Sequence, residues 1–380
     1  MHYTFPVITH INDVLPYIKD REEFIVAIRD DFDVVNYVVS MPTTFDIGDD
    51  IYAASVRREC RGLIFDKAGK LISRPYHKFF NVNEREETQL NNIDLGKPHT
   101  LLEKLDGSMI RPILINNQLR LATKMGITDV SMQSELWLAN QKDYDAKVNW
   151  MRHALLVRGC TPIFEYMGPD NKIVVEYEKE DMVLTAIRIT ASGDYLSLED
   201  DTCPFNIVPA YGTIDGSINE YVERAKAREG REGDVIRFND GHMLKVKNDW
   251  YVRIHKVKDL IRYDRNIINL VINEEIDDVI PMFDESDQTR VSKLTTVFWE
   301  AFNKKEDELR EVCNKAKVFE SRKDVALEYI PTLENNVDAR YIFGVLDGKD
   351  LRTMMIDFVQ RSVGNGTKYN AVTEWLKMSS

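Results

Sequence analysis

Residues 103–110 read EKLDGSMI. Lys104 is followed at two and three positions by Asp106 and Gly107, and then by an apolar run. Asp-Gly marks a tight turn, and Ser108-Met109-Ile110 begins a strand, so the turn fixes where the lysine is carried. A solvated surface lysine is one reading and a nucleophile at the mouth of a strand is the other. The nucleophile needs help, because a lysine of ordinary pKa is neutral in only about one copy in 2,500 at pH 7. Burial or neighbouring cations must lower that pKa.

Such cations recur along the chain. In HMLKVK, period-2 alternation sends Leu244 and Val246 to one face and Lys245 and Lys247 to the other. Two like charges roughly 6–7 Å apart on one strand face fit either a solvated surface or a phosphate-rich ligand. Residues 52–81 hold seven Lys and Arg against two acids. Arg61 lies in RECRGLIFD, where Gly62 is expected to let the backbone approach a ligand, and Lys78 lies in SRPYHKFFN beside Phe79 and Phe80. A guanidinium and an ammonium suit polyphosphate oxygens. Glu165 in PIFEYMG and Glu232 in REGDVIRF supply carboxylates at strand ends.

The wider chain sets bounds. It has 380 residues, 43% of them hydrophobic and 30% charged, with a net charge of −13. That composition fits a globular protein, and the length suffices for two or three domains. Both parts of the chain are acidic: residues 1–257 carry 32 basic and 40 acidic side chains, residues 258–380 carry 18 and 23. A polyanion must therefore meet a local concentration of positive charge. The four cysteines are scattered without a C-x-x-C pair, which argues against a zinc site or disulfide framework. No apolar run approaches the length of a membrane span, and MHYTFPVITHINDVLPYIKD lacks the pattern of a signal peptide. The expected location is cytoplasmic, with no membrane association and a monomeric state.

Up to about residue 250, short β-rich runs alternate with turns: RGLIFD, MIRPILI, LRLAT, KIVVEYE, MVLTAIRI, DVIRF and HMLKVK. DVIRF-NDG-HMLKVK reads as a hairpin. Before it, Ser217 and Glu220 form a capping box and Gly230 a helix C-cap. Beyond residue 255 apolar residues recur at helical spacing, as in Val291, Leu294, Val297, Phe298 and Phe302. The expected fold is α+β, with a domain of antiparallel sheets and flanking helices over 1–255 and an all-helical domain over 256–380.

The ordered series K-x-D-G, F-E-Y, E-G and K-x-K resembles the covalent nucleotidyltransferases, which include DNA ligases, RNA ligases and capping enzymes. ECRGLIFD, SRPYHKFFNVNE, EKLDGS, FEYMGPDNKIV, EGDV and LKVKNDWYV narrow the resemblance to the tRNA-repair RNA ligases of T-even-type bacteriophages, over about residues 57–255. For a phage protein this implies the cytoplasm of an infected bacterial host. The resemblance implies a nucleotidyltransferase domain that seals RNA 3′-hydroxyl and 5′-phosphate ends with ATP and Mg2+ or Mn2+. Lys104 would attack the ATP α-phosphate and carry AMP. Arg61 and Lys78 would hold triphosphate oxygens, with Phe80 supporting the pocket and Gly107 among the nucleotide-binding residues. Glu165 would bind the ribose, and Glu232 would serve the metal or position the nucleophile. Lys245 and Lys247 would neutralise the α-phosphate and lower the pKa of Lys104. Tyr251 matches a further family position. Lys124 of LATKMG, Tyr37 of VVNYVVS on the adenine side, and Asp277 of EEIDDV, holding a metal through water, complete the set. A solvated Asp277–Asp278 pair is the alternative there. The partners implied are ATP and RNA, as single-stranded ends or a cleaved tRNA, with the helical domain selecting tRNA. The rivals are a DNA ligase or capping guanylyltransferase, which resemble one another in carrying an OB-fold after the K-x-K strand, and a non-catalytic nucleotide- or RNA-binding module. Here the chain turns helical after K-x-K.

Overall fold

Among the described residues of the computed structural model (4–41, 43–48, 50–199, 201–333 and 338–378), the strands form three four-stranded sheets. The first holds β1 (Phe24–Ile28), β2 (Phe32–Tyr37), β3 (Arg61–Asp66) and β4 (Leu71–Ser73) in that order. Four more strands are β5 (Phe80–Asn81), β6 (His99–Lys104), β7 (Ser108–Ile115) and β8 (Gln118–Ala122). They are followed by β9 (Cys160–Met167), β10 (Asp181–Ile189), β11 (Gly233–Phe238) and β12 (Met243–Lys247). The second sheet runs β10-β9-β7-β8 and the third runs β5-β12-β11-β6. All pairings are antiparallel except β12 with the short β5.

The apolar faces explain the layering. Helix Ile51–Glu59 packs its Val56 with Val35, Leu63 and Phe65 of the first sheet. Helix Tyr144–Leu156 sends Trp150 and Met151 against Phe164 and Leu184 of the second. Helix Ile218–Lys226 closes the third sheet with Tyr221, Val222 and Ala225 against Ile236 and Val246. Its Ser217–Glu220 capping box is present, but the helix ends at Ala227. Gly230, three residues further on at φ 77°, serves the turn into β11. Phe32, Val34 and Ile64 meet Ile113 and Ala122 where the first and second sheets face each other. Glu59 lies at the same junction, fully buried between Arg74 and Arg188 at 3.1 and 2.8 Å. The two guanidiniums hold its carboxyl far below the usual range despite burial.

One expected strand is absent. KIVVEYE forms a loop, because the Val174 and Val175 amides both donate to Asp106 Oδ2 at 2.8 Å instead of entering a ladder. The expected hairpin forms, with β11 and β12 paired from Gly233↔Lys247 to Arg237↔Met243.

The chain divides into compact units at Val252/Arg253. The second unit is helical throughout its described residues. Its 32-residue helix Glu285–Ala316 is capped by Asp284, whose side chain accepts from the Asp287 amide. Val291, Phe298, Phe302 and Leu309 of that helix pack with Tyr341, Met355, Val359 and Trp375. Each such buried side chain contributes about 1.5–3 kcal/mol. No helix among the described residues is long and apolar enough to cross a membrane.

Candidate active site

Lys104 is the last residue of β6, in the third sheet, and Ser108 is the first of β7, in the second. K-x-D-G is therefore the crossing between two sheets. Its turn is held from three sides. Asp106, 1% exposed, takes the Val174 and Val175 amides on one oxygen and the Tyr251 hydroxyl at 2.7 Å on the other. Its own amide donates to the Tyr177 hydroxyl oxygen at 3.0 Å. Gly107 is needed for space, since a Cβ there would lie 2.4 Å from the Tyr166 carbonyl oxygen.

Lys104 pairs across the sheet with Gly233, which pairs in turn with Lys247. A Cβ at Gly233 would lie 2.1 Å from the Val246 carbonyl oxygen. The residue before it, Glu232, is 4% exposed and bridges the two lysines. Its Oε2 lies 2.7 Å from Lys104 Nζ and its Oε1 3.0 Å from Lys247 Nζ. The carboxylate thus fixes the Lys104 amine at a set point. Tyr251 stands behind this arrangement, with Lys247 Nζ 5.0 Å from its ring. Burial, the Glu232 charge and the bond to Asp106 push the Tyr251 hydroxyl well above its ordinary pKa.

Lys245 sits two residues before Lys247, with its Nζ 4.7 Å from the Phe79 ring. Burial, then Arg61, Lys104, Lys78 and Lys247, drive its pKa well below the usual lysine value. Glu232 supplies Lys104 with a counter-charge at 2.7 Å. An anion placed among these cations would relieve their mutual repulsion.

The second group of cations surrounds Tyr37. Lys78 Nζ lies 5.2 Å and Lys124 Nζ 4.4 Å from its ring centroid. Burial raises its pKa, but Lys78, Arg61 and Lys124 outweigh burial and lower it. Lys78 is also 5.6 Å from Phe45 and 5.4 Å from Phe80. Phe80, 2% exposed, belongs to the core beneath the lysine. A register shift at Val35/Asn36 sets Arg61 opposite Asn36, the neighbour of Tyr37. Gly62 does not open the backbone to a ligand as its position suggested. At φ 98° a Cβ there would meet the Lys124 carbonyl oxygen at 2.4 Å, so the glycine serves a chain-to-chain approach.

Glu165 lies on β9 opposite Met109 of β7. Burial and the Glu232 and Asp106 charges outweigh Lys104 and Arg61, and its carboxyl is pushed up to about 7. Asp277 lies in the helical unit, exposed, on the short helix Ile276–Val279, and the Asp278 side chain is outside the described residues. No group of three His, Cys, Asp or Glu suited to a metal occurs among the described residues. Glu232 has both oxygens engaged by lysines and Asp106 both by the turn, which leaves Glu165 as the carboxylate of this cluster with neither kind of partner. These donors fit a Mg2+ that takes most ligands from phosphates and water rather than from a protein cage.

The site unites a buried glutamate bridging two partly exposed lysines, further cations and a protonatable acid, a set suited to nucleotidyl transfer. The RNA ligase family model of the T4 type matches residues 59–251, half of the chain, and spans the site from Arg61 to Tyr251. The chain belongs to the RNA ligase family. A provisionally named RNA ligase of Thermovibrio ammonificans is 29% identical to this RNA ligase over 303 residues, covering 76% of this chain and 77% of its own. RNA ligase 1 of bacteriophage TS2126 is 28% identical over 231 residues, covering 58% and 56%. Among solved structures, an archaeal ATP-dependent RNA ligase matches with a TM-score of 0.43 at 14% identity, covering 74% of each chain.

Sequence reasoning missed two supports. Asp106 is the hub of the K-x-D-G turn, where its sequence context suggested only a turn former. Arg111, a lone cation within the apolar run MIRPILI, is fully buried. That isolated charge was the available signal.

Proposed function

We propose that this RNA ligase consumes ATP through a covalent lysyl-AMP and reseals broken RNA ends. The Lys104 amine, once neutral, attacks the α-phosphorus, a nitrogen–phosphorus bond forms, and pyrophosphate leaves. The 5′-phosphate of RNA then displaces Lys104 and takes the AMP. Attack by a 3′-hydroxyl forms the phosphodiester and releases AMP. Glu232 holds the Lys104 amine in line, and Lys245 and Lys247 face the charge that develops on the α-phosphate. Arg61, Lys78 and Lys124 hold the departing pyrophosphate, with Tyr37 set among them. Glu165 accepts from the ribose hydroxyls. A divalent ion arriving with the triphosphate would neutralise part of its charge.

The observation that carries this reading is the Glu232 bridge, which places the K-x-D-G lysine against the K-x-K strand at 2.7 and 3.0 Å. The test is incubation with labelled ATP and magnesium. Wild-type protein is expected to gain a covalent, acid-labile adenylate on Lys104, and Lys104→Ala to gain none. Absence of an adduct on the wild type would sink the proposal. The proposed RNA is a tRNA cleaved in its anticodon loop, checked by comparing its ligation with that of a nicked duplex. The proposed division of labour gives adenylyl transfer to residues 1–255 and RNA choice to 256–380, with Asp277 proposed to hold a metal through water.

A further inference from the structure

Arg111 is a cation in the wrong place for simple packing. It lies on β7 opposite Ala122, is 0% exposed, and has no carboxylate partner among the described residues. All three arms of its guanidinium donate to neutral oxygens. Nε donates to Ser73 Oγ at 2.8 Å, Nη1 to the Thr123 carbonyl at 3.1 Å, and Nη2 to the Gly62 carbonyl. An uncompensated buried charge is costly, so its retention calls for a reason. The charge of Arg61 makes matters worse. Burial and Arg61 together pull its pKa down to about 9, at which it is still charged at neutral pH.

The acceptors show what the charge holds. Gly62 follows Arg61, and Thr123 precedes Lys124. Ser73 and Gly62 belong to the first sheet, whereas Arg111 belongs to the second and Thr123 directly follows that sheet's last strand. The guanidinium therefore bridges the seam at which the backbones of 62 and 124 touch. A second contact closes the same seam: Asn36 Nδ2 donates to Met125 Sδ at 2.9 Å, joining the neighbour of Tyr37 to the neighbour of Lys124.

We infer that Arg111 is a positioning residue for the nucleotide-activation step, clamping from behind the two backbones that present Arg61 and Lys124 and adding positive charge beneath them. This rests on the proposed reading in which Arg61 and Lys124 hold the pyrophosphate portion of ATP. The triphosphate is present only while Lys104 is adenylated. Joining of RNA that already carries a 5′-adenylate involves AMP but no pyrophosphate. A device aimed at the pyrophosphate must therefore affect the first reaction and spare the last.

The test measures both reactions on the full chain. Arg111→Lys keeps the charge but cannot reach three acceptors with a planar fork. It is expected to raise the KM for ATP in lysyl-adenylate formation about tenfold, with joining of pre-adenylated RNA within about twofold of wild type. Ser73→Ala leaves the guanidinium in place and frees one arm, and is expected to show the same selectivity at about threefold. Equal loss in both reactions with a lowered melting temperature would mean a purely structural arginine and would overturn the inference, as would no change in either. Should Arg111→Lys fail to fold, Ser73→Ala decides by the same criterion. Arg61→Ala and Lys124→Ala separate the two levels of the argument. If they are selective for adenylation and the Arg111 and Ser73 variants are not, only the clamp fails. If they impair joining of pre-adenylated RNA as much as adenylation, the pyrophosphate reading fails and the clamp with it.

Discussion

At the scale of single residues, Glu165 has the most informative titration. Burial lifts its carboxyl from an ordinary 4.5 to about 7. Between those values the folded protein keeps a proton that the unfolded chain has lost. Stability therefore falls as pH rises from 4.5 to 7 and stays lowered above. Glu165→Gln removes that cost. The variant should gain on the order of 1–3 kcal/mol over wild type at pH 8, after allowance for partial exposure, and little at pH 4.5, by denaturant unfolding. Ribose hydroxyls donate best to the ionised form. The ratio of KM for ATP between variant and wild type should accordingly rise as pH increases through 7, and a ratio independent of pH would count against ribose binding by Glu165. That Glu165 and Lys104 stand in one ordered series was legible along the chain. Their protonation was not. Glu165 looked like an ordinary exposed acid, because burial is set by strands β7 and β9 meeting across 56 residues of sequence. The contact of Lys104 with Glu232 at 2.7 Å was equally hidden, because 128 residues of sequence separate the two.

At the scale of elements, the K-x-D-G turn shows where local patterns mislead. KIVVEYE has the composition of a strand, yet its amides go to Asp106, 68 and 69 residues earlier. No periodicity encodes a ladder lost to a distant carboxylate. The β11–β12 hairpin was legible because Asn239-Asp240-Gly241 and the flanking alternation agree locally. The same turn gives a prediction about Tyr251. Tyr251→Phe leaves the two amides on Asp106 but removes the 2.7 Å hydroxyl bond from a buried carboxylate. Loss of a hydrogen bond to a charged, buried group costs about 1.5–3 kcal/mol. The unfolding free energy from denaturant titration should fall by that amount, and lysyl-adenylate formation should slow because the base of Lys104 is less fixed. Stability like wild type would mean that the two amides alone hold the turn.

At the scale of the whole molecule, the change from sheets to helices near residue 255 was legible as a change of hydrophobic period. Where a truncation would be harmless was not, because helix Asp249–Ile261 runs through the division between the compact units at Val252/Arg253. Tyr251 lies in the first turn of that helix and serves Asp106 of the first unit. The position of a cut therefore matters as much as the mass removed. Truncation after Ile261 keeps the helix, and with it Tyr251, in place. It should retain most lysyl-adenylate formation while losing discrimination between a cleaved tRNA and generic single strands. Truncation after Val252 leaves Tyr251 on a frayed end with no following turn to hold it, so adenylation should fall several-fold further. Rates of adenylation and of tRNA sealing, measured on both truncations beside the full chain, separate the two contributions. If both truncations adenylate equally well, the helix does not support Tyr251. If tRNA preference survives both, RNA choice belongs to the sheet-bearing unit, and the helical unit needs another role.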